Sequence, residues 1–133
     1  MNTEMREYRL EVSEYFFKLS ALCQRIYGER TRRAPSLSNV IQYRIRSAHR
    51  VLESDASTLL QHLESIPTMG DVAIDFAIPP ATDDLLEKAR LRYSAMLESD
   101  LTVGDAVSLL LFDYVVEDKA DAVIAMLGIE TLQ

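Results

Sequence analysis

One short stretch limits the architectures open to this chain. Val72, Ile74, Phe76 and Ile78 alternate with Ala73, Asp75 and Ala77, the period of two of a strand with one buried face. Pro67 and Gly70 mark a turn before it, and Pro79-Pro80 ends it. No other stretch carries a convincing strand signal. Yet one strand cannot stand alone, because its backbone N–H and C=O groups would lack partners. Either another segment, not recognisable as a strand, pairs with it, or the same strand of a second subunit does.

The remainder reads as helix. Tyr8, Val12, Tyr15, Phe16, Leu19, Leu22, Cys23 and Ile26 recur at steps of three or four, predicting one long amphipathic helix over 3–27. Asn2 or Thr3 can cap its start, and Gly28 is placed to end it. Cys23 lies on the apolar stripe and reads as a core residue. A second stripe runs from Leu37 through Val40, Ile41, Ile45, Ala48, Val51 and Leu52 to Leu59, Leu63 and Ile66. It predicts one helix over 37–66, or two with a break near Ser54-Asp55. Thr82, Asp83 and Asp84 open the next helix, with Leu85, Ala89, Tyr93 and Met96 inward. Ser99-Asp100 breaks it, and Thr102 with Asp105 resembles a capping box for another.

From Val103 to Val116 only Gly104, Asp105, Ser108 and Asp113 are not apolar, so this helix is expected at the centre of the core or in a subunit interface. Asp118 is expected to cap a last helix through Leu127, with Gly128 after its end and Ile129 touching Ile124. No internal repeat is visible. The expected fold is mainly α, with one short strand at 72–78 paired across a homodimer. Residues 1–66 form a basic helical half and 67–133 an acidic strand–helix–helix half, unless the two make one compact domain.

The order of elements in VAIDFAIPP, DDLLEKARLRYSAML and LTVGDAVSLLLFDYV resembles the ribbon-helix-helix family over residues 72–116. The likeness is an alternating strand, a Pro, a helix, a short turn with Thr and an apolar helix. It implies two intertwined chains whose strands form an antiparallel ribbon. The strand and the apolar helix then place Ile74, Phe76, Leu110, Leu111 and Tyr114 in the dimer interface. In that family the outward ribbon residues read the DNA major groove. Here they are Ala73, Asp75 and Ala77, which offer no donor to guanine or phosphate, and Asp75 repels phosphate. The family's DNA contact therefore does not transfer to these positions.

Charge is divided unevenly along the 133 residues, whose net charge is −7. Residues 1–50 carry ten Lys/Arg against five Asp/Glu, and residues 51–133 carry four against sixteen. Such asymmetry points to an anion-binding half, with nucleic acid first among anions, or to two halves that attract each other within a chain or across a dimer. On the face opposite the second apolar stripe lie Asn39, Gln42, Tyr43, Arg46, His49 and Arg50. Arg, Asn and Gln can contact base edges, while Arg30, Arg32 and Arg33 in the preceding connector can neutralise phosphates.

Nothing invites a catalytic assignment. His49 and His62 form no metal-ligand spacing, one Cys cannot build a thiolate site, and no phosphate loop or nucleophile elbow occurs. No enzyme activity, metal or cofactor is expected. No targeting segment is visible, and no apolar run approaches a membrane span, so the expected setting is soluble and cytoplasmic. The expected function is that of a small homodimeric DNA-binding regulatory or accessory protein, contacting DNA through Arg30, Arg32, Arg33, Gln42, Tyr43, Arg46 and Arg50. The alternative is a non-enzymatic protein-interaction module, an inhibitor or adaptor that works through its acidic half.

Overall fold

The computed structural model describes residues 4–128. In chain order it contains β1 (Arg6–Val12), α1 (Glu14–Thr31), α2 (Leu37–Arg44), a 3-10 segment (Ile45–Glu53), α3 (Ala56–Ser65), β2 (Val72–Ile78), α4 (Pro80–Leu97) and α5 (Val103–Met126). The fold is mainly α with one two-stranded antiparallel sheet. No described helix is long and apolar enough to cross a membrane.

β2 has the expected bounds, but its partner corrects the expectation for the N-terminus. Residues 6–12 are a strand, not the start of a helix, and they pair with 72–78 inside the chain. The helical spacing of Tyr8, Val12 and Phe16 conceals a second pattern. Tyr8, Leu10 and Val12 also alternate, and the strand buries that face while Glu7, Arg9 and Glu11 stay exposed. Tyr8 stacks on Phe76 with ring centroids 5.1 Å apart, and its hydroxyl donates to Asp83 at the start of α4. Ser13 then caps α1, its hydroxyl accepting from the Phe16 N–H at 3.0 Å. Gly70 lies against this junction so closely that a Cβ would meet the Ser13 Cα at 2.4 Å. The ladder that seemed to require a second chain is thus completed within one.

A repeat absent from the sequence pattern is present in the backbone. Up to the start of the second helix, the boundaries of the first strand–helix–helix unit recur 66 residues later, Arg6 at Val72, Glu14 at Pro80 and Leu37 at Val103, whereas α2 ends at Arg44 and α5 runs unbroken past the equivalent Leu110 to Met126. α1 and α4 both have 18 residues and end in left-handed residues at Arg32 (φ 60°) and Glu98 (φ 51°), again 66 apart. The next helices are capped by Ser36 and Thr102 at the same offset. The strand register obeys it as well. Arg9 faces Asp75, its own equivalent, while Tyr8 faces Phe76 and Leu10 faces Ile74. A pseudo-two-fold axis therefore passes through the Arg9–Asp75 pair. Equivalent positions are buried together, as at Val12 and Ile78, Cys23 and Ala89, Tyr27 and Tyr93, and Ile41 and Val107.

One continuous core joins the two units. α5 lies at its centre, against α1, α2, α3, α4 and the 3-10 segment. Its burial from Gly104 to Leu111 explains the nearly unbroken apolar run. The Thr102–Asp105 capping box forms as the spacing predicts. The helix does not restart at Asp118 but continues to Met126, because no Gly or Pro interrupts it and the Asp118 carboxylate pairs with Arg30 instead. The expected Ile129–Ile124 contact lies outside the described residues. α1 passes Gly28 and ends at Thr31, with Arg32 in the left-handed turn, so Arg30 belongs to the helix and not to the connector. α4 starts at Pro80, two residues before the expected Thr82, since Pro fits the first helical turn. The 37–66 stripe divides at Ser54-Asp55, and its first part tightens into the 3-10 segment, with a kink at Ser47.

Candidate anion-binding surface

The arginine-rich stretch separates into two sets. Arg30 holds Asp118 at 2.6 Å and Asp121 at 3.3 Å. Arg44, only 4% exposed, donates to Asp113 and Glu117, each at 2.8 Å, and its guanidinium sits 4.7 Å from the centre of the Tyr114 ring. Arg50 approaches the same two carboxylates at 3.5 Å. These three cations fasten the basic half to the acidic α5. The attraction between halves thus operates within the chain and accounts for three of the ten Lys/Arg of residues 1–50.

The second set has no such partners. Arg32, Arg33 and Arg46 are exposed, and no ion pair joins them to a described carboxylate. Arg33, Gln42, Tyr43 and Arg46 line one cleft of about 170 Å³ together with Tyr27 and Asn39. Local bonds hold its polar wall. Ser36 caps α2 by accepting from the Asn39 N–H, the Asn39 amide donates to Ala34 O, and Gln42 donates to Ser38 Oγ. Tyr43 packs edge-on against Tyr27 and Tyr114 and remains about half exposed.

Arg46 also borders a larger cleft of about 310 Å³ between the 3-10 segment and α4. Its rim carries Arg46, His49, Lys88 and Arg92 over a floor that includes Leu52, Ala89 and Tyr93. No described carboxylate lines either cleft. Lys88 and Arg92 escape a sequence reading because they lie in the acidic half. The signal that finds them is their four-residue spacing on either side of Ala89, with one face of α4 cationic beside a small inward residue.

The outward ribbon face has a different character. Glu7, Glu11 and Asp75 outnumber Arg9, whose pairing with Asp75 spans 3.6 Å between two exposed side chains. The residues expected at a dimer interface lie in or against the chain's own core. Phe76, Leu110, Leu111 and Tyr114 are buried, and Ile74 is half-buried under the sheet.

Two other groups with reactive potential are enclosed. Burial pushes the Cys23 thiol up to about 12 and leaves it bonded to Leu111 O, so it is protonated at neutral pH. His62 contacts Ser108 at 2.8 Å and stacks on Phe112, and burial lowers its pKa to about 4. Ser108 is fully buried, so this pair has no access to a substrate. No group of three His, Cys, Asp or Glu residues among the described ones could hold a metal. No family model, curated protein or solved structure matches the chain.

Proposed function

We propose that this chain is a small DNA-binding regulatory or accessory protein whose contact surface is the cleft formed by Arg33, Gln42, Tyr43 and Arg46, with Arg32 beside it. One observation carries the reading. Four of the seven residues expected to contact DNA line a single cleft without a carboxylate, in a protein whose net charge is −7. The arginines would neutralise phosphates, and Gln42 and Tyr43 supply an amide and an exposed ring for base edges or sugars. The order of elements over residues 72–116 resembles the ribbon-helix-helix family, and a strand–helix–helix order also runs from residue 6. That likeness supports a DNA-binding role but not DNA contact through the acidic ribbon. Arg30 and Arg50, engaged with α5, are left out of the contact set.

Binding of a random duplex, followed by anisotropy at several salt concentrations, tests this. Neutralising Arg33 and Arg46 to Gln should lower the salt slope by about two, near 0.9 for each phosphate contact. Across a set of duplexes of different defined sequence, Asp75→Ala should leave the order of affinities unchanged. An unaltered slope in the double variant rejects the surface. The acidic ribbon face favours a second reading, a protein-interaction module whose partner is basic. Absence of any duplex shift at low salt selects it.

A further inference from the structure

The pseudo-two-fold relates the larger cleft to a second contact between the units, and the two differ in a directed way. The cleft lies where the 3-10 segment of the first unit meets α4 of the second. Its counterpart, 66 residues on or back, lies where α5 of the second unit meets α1 of the first. There Ala48 is replaced by Tyr114 and Ala89 by Cys23, both side chains buried. Arg46, His49, Lys88 and Arg92 correspond to Phe112, Val115, Leu22 and Ile26. One contact thus carries two bulkier buried side chains and apolar residues in place of the four rim residues, with Asp118 held by Arg30 in place of Leu52, whereas the other has two alanines and is ringed by cations.

The interior of the open contact is apolar despite its Tyr. The Tyr93 hydroxyl is satisfied by donating to Ala48 O at 2.8 Å, and the ring lies buried beneath the cleft floor. Leu85, about half exposed, and Leu52 complete the walls. At about 310 Å³ the cleft has the lower range of volume found for small-ligand sites. Arg46, Lys88 and Arg92 make no ion pair with a described carboxylate, so their charge is free to act on a ligand.

We propose that this cleft binds a small phosphomonoester with an aromatic or apolar body. The body would rest on Ala48, Leu52 and Leu85, backed by the buried Tyr93 and Ala89, and the phosphate would take charge-assisted hydrogen bonds from the rim. The site shares only Arg46 with the DNA surface and does not depend on it.

1-Naphthyl phosphate, titrated into the full chain at low ionic strength and followed by amide NMR shifts, tests the proposal without DNA. Shifts should concentrate in 45–52 and 85–93, with affinity about tenfold or more above that of 1-naphthol or inorganic phosphate alone. Lys88→Gln with Arg92→Gln, two exposed side chains, should weaken binding by about tenfold or more and leave the thermal midpoint unchanged. Ala48→Leu should block the cleft and abolish binding. Equal affinity for 1-naphthol, shifts centred elsewhere, no binding at millimolar concentration, or a double variant that binds as the parent does would each overturn it.

Discussion

The two strand–helix–helix units coincide in strand register and in boundaries as far as the start of their second helices, while differing in charge. Residues 6–53 carry ten Lys/Arg against five Asp/Glu, and residues 72–119 carry four against ten. Aligned at the 66-residue offset, they keep Leu19 with Leu85 and Tyr27 with Tyr93 as identical pairs, and little else. What they share is placement: side-chain caps at Ser36 and Thr102, left-handed turns at Arg32 and Glu98, and buried positions along each helix. The backbone is specified by caps and apolar positions, so surface charge is free to diverge. Here it has diverged into opposite signs, which lets Arg30, Arg44 and Arg50 grip α5. An arginine-rich window is thus in part an internal fastening, and only its unpaired remainder bears on a ligand.

The comparison breaks most severely at Arg44. Arg44→Ala removes the buried partner of Asp113 and Glu117, leaves them Arg50 alone at 3.5 Å, and should cost about 2–3 kcal/mol in urea unfolding. Arg25→Ala, on an exposed part of α1, should stay within about 0.5 kcal/mol. A contrast smaller than about 1 kcal/mol between the two would refute the fastening.

A second effect should appear on acidification, through the α3 connector that joins the units. His62 has a folded pKa of about 4, below the ordinary 6.5, because burial disfavours its charged form. The unfolded chain then binds more protons between these values. Stability is therefore full above about pH 6.5 and falls as pH drops to about 4, by about 3 kcal/mol at most. His62→Gln should remove that part of the slope when urea midpoints are compared across the window. An identical slope in the variant would assign the acid sensitivity to other groups.

The least effect is expected on the axis itself. Arg9→Asp sets two exposed carboxylates opposite each other at the centre of the ribbon and should cost less than about 1 kcal/mol. Adding Asp75→Arg should restore the loss. A thermal midpoint that the second change fails to recover would mean that the pair does not interact across the axis.

How much of this was legible depends on which residues carry the signal. β2 could be read to its bounds because Val72 to Ile78 alternate with no competing period. The Thr102–Asp105 cap and the break at Ser54-Asp55 are likewise local. β1 was hidden because Tyr8 and Val12 satisfy both periods, and only Leu10 decides between them. The candidate surface was legible in half. Arg33, Gln42, Tyr43 and Arg46 belong to one stretch of sequence, whereas Lys88 and Arg92 join from a segment whose net charge points the other way.

By itself the sequence determined the helical class, the strand at 72–78, the central apolar helix and the opposition of charge between halves. Each of these depends on side chains close together in the chain, where periodicity, capping and composition act. Tertiary structure decided which strand completes the ladder, which arginines are neutralised, and that two dissimilar segments are one unit used twice. Those outcomes depend on burial and on ion pairs between residues as far apart as Arg44 and Asp113. A guanidinium is free or paired according to what folding brings within about 4 Å of it, and no local pattern encodes that distance.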